Sequence, residues 1–251
     1  MVALRTITTM MIVDLMSDEQ FGIAPMGLLS LQSWLTPAFP IGSYSYSHGI
    51  EWAVEAGSVY DRTSLVDWLD ADLCYGTGRN EAILFNEAVR HTIDKNHAKL
   101  FETAELAAAF RGTSEFVLES SQQAAACLVT LCRVWPDPML DWLSEVLREH
   151  RVQPALAVVL GIRSATLGIP AGLALPAFLQ SYVANLVTAG VRLIPLGQTD
   201  GQLAVAGLAD SVLTARALVE KAAICDLGSA AVMIDLASMA HESQYTRLFR
   251  S

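Results

Sequence analysis

Few residues in this 251-residue chain have types and spacings suited to breaking bonds. Ser47 and His48 are neighbours, but adjacent helix residues point about 100° apart, which prevents a nucleophile–base pair. No G-x-S-x-G turn is present to raise a serine onto a strained elbow. His241-Glu242-Ser243-Gln244-Tyr245 has the outline of the zinc helix H-E-x-x-H, with tyrosine where the second histidine belongs. One ligand at helical spacing does not hold a catalytic zinc. His91, His97 and His150 share no motif spacing and read as surface or core histidines. Gly197-Gln198-Thr199-Asp200-Gly201 precedes a helix and could cradle an anion, yet without a P-loop lysine or Rossmann spacing it reads as a capped loop. Cys74, Cys127, Cys132 and Cys225 make no framework; scattered thiols in a chain this long read as reduced core residues of a cytosolic protein. The expectation is a chain with no catalytic residue, no metal ligand set and no bound cofactor.

Recognition chemistry is better represented. Tyr44, Tyr46, His48 and Trp52 follow a turn stiffened by Pro37 and Pro40. At every second position of one helix, Tyr44, Tyr46 and His48 cannot all face one core, so a ring is expected at the surface or an interface. The closing residues, Tyr245-Thr246-Arg247-Leu248-Phe249-Arg250-Ser251, join aromatics to arginines, the types enriched at interface anchors. Tyr245 and Phe249, four apart with an arginine between them, predict a segment that orders on docking.

The elements that must carry these residues read as helices throughout. After a leader over residues 1–25 without clear period, expected to be mobile and not a signal peptide, helical spacing begins at Met26 and breaks at Thr36–Gly42. A helix is predicted from Ser43 or Ser45 to Gly57, a C′ glycine. The next is capped by Asp61 or Ser64 and closed by Gly76 and Gly78, with Leu65, Trp68, Leu69 and Leu73 on one face. Further helices are predicted over Glu81–His91, Ala98–Phe110 and Glu115–Arg133. Another is predicted from Asp137-Pro138, with Leu140, Leu143 and Leu147 inward, and another over Pro154–Leu167. Thr199 and Gln202 suggest a capping box for a long helix to Ala223, and the last runs from Ser229 to His241. Ser164–Val191 contains no charged residue. Its Pro170, Gly172, Pro176, Gln180, Ser181, Asn185 and Thr188 favour a buried core helix, about Leu175–Val191, over a membrane span. The fold class is therefore all-α, a single-domain bundle over 26–251 built around that central helix.

Composition narrows the partners. Charged residues make up only 17% against 53% hydrophobic, which points to surface hidden in an oligomer or stable complex. A net charge of −10 argues against nucleic acid.

Three stretches in this order, residues 28–57, 191–202 and 226–251, closely resemble the UreF-type urease accessory proteins. The specific matches are Gly42, Ser45, Tyr46, Ser47, Gly49, Glu51, the Pro-Leu-Gly-Gln-Thr-Asp-Gly-Gln loop at 195–202 and the closing Tyr-Thr-Arg-Leu-Phe-Arg-Ser. The resemblance implies a cytoplasmic, dimeric maturation chaperone without chemistry of its own. Such proteins join the UreD/UreH scaffold to the GTPase UreG, whose nickel passes to apo-urease; nickel is cargo of the complex. It further implies that the tail (Tyr245, Arg247, Phe249, Arg250) engages UreD/UreH, and that the region from Pro40 on (Pro40, Gly42, Tyr44, Tyr46, His48, Glu51) and the dimer's middle serve the GTPase. Two segments depart from the family pattern, 152–161 and Cys225-Asp226, and no role is assigned to them.

Overall fold

The computed structural model describes residues 24–251; all but the last two residues expected in the leader lie outside them. Helices account for every regular element among the described residues. Pro25 opens α1 (Pro25–Trp34) at its first position, where a missing N–H costs nothing. A 3₁₀ turn at Ser43–Ser45 precedes the short α2 (Ile50–Glu55). Then come α3 (Arg62–Tyr75), α4 (Thr77–Ile93), α5 (His97–Ala109), α6 (Ser114–Val134) and α7 (Pro138–His150). The second half holds α8 (Leu156–Thr166), α9 (Ala171–Leu193), α10 (Gln198–Gly207), α11 (Ala209–Val219) and α12 (Val232–His241).

Several caps form as expected. Asp61 and Ser64 close a reciprocal capping box on α3. Asp137 caps α7 with Pro138 behind it, and Gly57 takes the left-handed conformation, φ +74°. Other boundaries move. Gly76 alone separates α3 from α4, so Gly78 lies inside the second helix. The box at Thr199 and Gln202 does not form; the Asp200 carboxylate accepts the Gly197 N–H instead, and the helix it opens is interrupted at Leu208. Asp226 turns back to the Ala223 amide at 2.8 Å, and α12 starts only at Val232.

One contiguous core runs from Leu31 to Ala237, but its centre is not the predicted helix. Ala157 through Ser164 are all buried, which places α8 in the middle, packed against α4, α6, α7 and α9. Gly161 lets the backbone of α4 come close: a Cβ there would lie 2.7 Å from the Phe85 carbonyl oxygen and 3.0 Å from Ala88 Cβ. Arg163, which by sequence marks the edge of the core, is itself buried and ion-paired to Asp137. Burial opposes the Asp137 charge, but Thr166, the Met139 amide and Arg163 outweigh it and hold its carboxyl below the usual range.

The predicted central helix, α9, starts a turn earlier than expected, so Pro176 falls in its second turn. It buries one face, through Leu175, Phe178, Leu179, Val183, Leu186 and Val187. Residues 171–193 and 198–219 are both long and apolar enough by composition to cross a membrane. The first buries half of its apolar window, as a core helix does; the second buries 28% and leaves Leu203, Leu213 and Leu218 exposed.

Candidate functional site

The segment after Pro40 and the tail, some two hundred residues apart in sequence, meet in one place. The predicted helix from Ser43 does not form. Tyr46 is extended, and His48 and Gly49 both take positive φ, +57° and +78°, before α2 begins. That bent path, rather than helical phase, decides which rings are exposed. Tyr44 is 67% exposed, whereas Tyr46 and His48 are buried. Pro40 is exposed and Gly42 takes a left-handed turn.

The tail lies on the chain's own body, a correction to the segment expected to await a partner for its order. The Arg250 amide donates to the Ser45 carbonyl at 2.8 Å, and the Ser47 amide and hydroxyl both donate to the Ser251 carbonyl, at 2.6 and 2.7 Å. Phe249 is buried with the Arg192 guanidinium 4.3 Å above its ring. Arg192 also donates to the Tyr44 carbonyl at 2.8 Å. Tyr46 and Arg250 both donate to Gln122 Oε1, at 2.6 and 3.2 Å. Arg247, Arg250 and Tyr245 are exposed, Tyr245 wholly.

Three buried carboxylates accept the tail's remaining bonds. Glu51 receives the Leu248 and Phe249 amides at 2.6 and 2.9 Å, and its first-turn position on α2 suits a negative charge. Glu115 receives Arg247 at 3.2 Å, and Glu119 receives the Ser251 hydroxyl at 3.2 Å. Two imidazoles face them. His241 Nδ1 lies 2.8 Å from Glu115 and its Nε2 3.1 Å from Glu51; His48 Nδ1 lies 3.0 Å from Glu119. His48 stacks on Phe116 with ring centroids 4.0 Å apart. Ser47 and His48 thus diverge, one to Ser251 and the other to Glu119, although neither sits in a helix.

Behind His48 lies a cavity of about 50 Å³, lined in part by Glu81, Arg111, Glu119 and Tyr182. His48 Nε2 and Arg111 Nη2 have no hydrogen-bond partner among the described residues, and the volume suits a few waters bridging them. Arg111 pairs with Glu81, and Tyr182 donates to Asp72 at 2.6 Å. Burial raises the Asp72 carboxyl, against the pull of His48, Tyr182 and the Gly78 and Thr77 amides; it also drives the Tyr182 phenol well up, helped by Asp72.

Burial works against the His48 charge, but Glu119, by charge and hydrogen bond, and then Asp72 and Glu81, outweigh it and raise the imidazole above its ordinary value. A group raised on folding contributes stability fully below its unfolded pKa, about 6.5, and loses it as pH climbs through the folded value. The stability gap between the native chain and His48→Gln is expected to be widest below about pH 6.5 and to shrink at alkaline pH, as read by urea titrations across pH. A gap that widened with pH would exclude a charged His48.

Sequence reasoning placed Glu51, Tyr46, His48 and the tail but missed Glu115, Glu119 and Gln122 of α6. Their signal was present: carboxylates four residues apart on a helix otherwise read only for its apolar period.

The UreF family model matches residues 59–209. The chain is 44% identical over 224 residues to a protein of Rhodopseudomonas palustris (strain BisB5) named urease accessory protein UreF, covering 89% of this chain and 91% of that one. Relatives of the same name in Granulibacter bethesdensis and Magnetococcus marinus are 45% and 42% identical, over 94% and 97% of their own lengths and 89% of this chain.

Proposed function

The chain belongs to the UreF family of urease accessory proteins, and from that membership we propose that it is a cytoplasmic, non-catalytic adaptor that joins the UreD/UreH scaffold to the GTPase UreG during nickel delivery to apo-urease. Nickel is cargo of the assembled complex on this reading, and the chain holds no cofactor of its own. It modulates the GTPase rather than hydrolysing nucleotide, and it works as a homodimer, not in a membrane or on nucleic acid. The exposed Leu203, Leu213 and Leu218 are consistent with surface meant for another protein.

One observation carries the assignment of surfaces: the tail and the segment after Pro40 form a single ordered face. That face turns Tyr44, Tyr245, Leu248 and Arg250 outward while Tyr46, His48, Glu51 and Phe249 hold it together. The outward residues are the ones expected to meet UreD/UreH and UreG.

This division supplies a clean test. Deleting Tyr245–Ser251 removes partner contacts and internal supports together, so loss of scaffold co-purification on deletion is expected but mixed in cause. Arg250→Ala separates them. Arg250 is exposed, and its side chain reaches Gln122 at 3.2 Å beside the Tyr46 phenol, so the fold should lose less than about 1 kcal/mol. Scaffold binding should weaken by about 1–3 kcal/mol, as for a charged interface hydrogen bond. Titration calorimetry with purified UreD/UreH reads the affinity; a change of a few tenths or less removes Arg250 from the interface. Co-purification with UreG, nickel and GTP varied in turn, reads the second surface.

A further inference from the structure

His241 is wholly buried, at 0% exposure, and both of its ring nitrogens face carboxylates. A neutral imidazole has one N–H and one bare lone pair; here that lone pair would be set against Glu51 or Glu115. The remaining possibility is a proton on one carboxyl, with a neutral ring accepting from it. Two features oppose that. Both Glu115 oxygens lie within 2.9 Å of Nδ1, as a carboxylate embraces an N–H, and Glu115 also accepts Arg247. A free carboxyl ionises well below imidazole, at about 4.3 against about 6.5, so the shared proton belongs on the ring. Charge then balances: Glu51 and Glu115 against His241 and Arg247.

We infer that His241 is a doubly protonated imidazolium whose charge keeps residues 244–251 docked, so that removing its second proton, or the ring, releases the tail while the helical core stays folded. The mechanism runs through Glu51. Its carboxylate accepts the Leu248 and Phe249 amides and His241 Nε2 together, and it tolerates burial as an anion only while the imidazolium is beside it. Once the ring is neutral, two buried carboxylates face each other with Arg247, an exposed side chain, as the one cation named against them. Water must then enter, and the tail amides lose their acceptor. The other charged groups of the cluster are Glu242, just past the end of His241's helix, which adds to burial in raising the Glu115 carboxyl, and Glu55 of α2, which takes Gln244. Both are acidic, so neither can replace the imidazolium. The direction follows: the tail is held while the ring carries both protons and loosens when one is lost. His241 thus positions the tail face without being part of its exposed surface, and this holds whichever protein the face meets.

Two measurements on the full chain test this. Imidazole ¹⁵N spectra of histidine-labelled protein should show both His241 nitrogens protonated at neutral pH. The protection of the Leu248 and Phe249 amides, taken relative to their intrinsic exchange at each pH, should fall where that signature is lost. His241→Gln should raise exchange there by about tenfold or more while α8 amides keep their protection. Glu115→Gln/His241→Gln, with one buried charge fewer, should recover most of the difference. A neutral ring at pH 7, unchanged tail exchange in His241→Gln, or equal loss of protection in α8 would each overturn the inference.

Discussion

Glu51→Ala is expected to cost about 3–5 kcal/mol, the range for stripping one partner from a buried ion pair, and to free the tail. The Glu51 side chain is buried, and its two oxygens take three donors: the Leu248 amide at 2.6 Å, the Phe249 amide at 2.9 Å and His241 Nε2 at 3.1 Å. Alanine leaves two backbone N–H groups without an acceptor and a buried ring with a carboxylate on one side only. Each loss has its own penalty, and the tail is the element free to move in response. The thermal midpoint should fall by about 6–20 °C for a chain of this size, with Phe249 becoming accessible to protease. Glu51→Gln keeps an acceptor oxygen but loses the charge, so it should fall between the two. A midpoint within about 2 °C of the native protein, with Phe249 still protected, would show that the tail is held by the Phe249 ring beneath the Arg192 guanidinium and not by the carboxylate.

The helical class and most boundaries were legible because local chemistry sets them. Asp61 with Ser64, Asp137 with Pro138 and the Gly57 stop need only neighbours in sequence. What failed needed knowledge of distant partners. The charge-free run 164–191 marked α9 as the centre, but burial tracks pairing as well as charge. Arg163 is taken inside by Asp137, and that moves the centre to α8. The helix expected from Ser43 contains no proline and only Gly49, left-handed at φ +78°, as an interior break. It is undone by His48, whose pairing with Glu119, seventy-one residues away, goes with a left-handed backbone that helical periodicity cannot express. The tail's composition suggested an interface anchor, and the groups it contacts in the structure are the chain's own α2 and α6. One ring among Tyr44, Tyr46 and His48 was expected at the surface or an interface on a helical-phase argument; the exposed one is Tyr44, for another reason, the extended backbone at Tyr46.

Gly49→Ala is the second large effect, expected at about 2–5 kcal/mol from two separable sources. Gly49 has φ +78°, where an L residue with a Cβ gives up about 1–2 kcal/mol. A Cβ there would also stand 2.9 Å from the Ser238 amide nitrogen and 3.2 Å from its Cα, both backbone atoms of α12 that cannot swing aside. Relieving the contact means moving α2 off α12, an overpacking cost of about 1–3 kcal/mol. Gly57 provides the control, since its φ is +74° but nothing lies within 4 Å of the position a Cβ would take. Gly57→Ala should therefore show the backbone cost alone, and the difference between the two variants in urea unfolding isolates the packing of α2 against α12. The consequence reaches the tail, because α12 carries His241 and α2 carries Glu51; a displacement between them stretches the 3.1 Å contact that joins the two. Gly49→Ala should thus speed exchange at the Leu248 and Phe249 amides, whereas Gly57→Ala should leave it as in the native chain. Equal costs in both variants, with the tail undisturbed, would mean that α2 and α12 slide freely and that the tail's supports do not depend on their spacing.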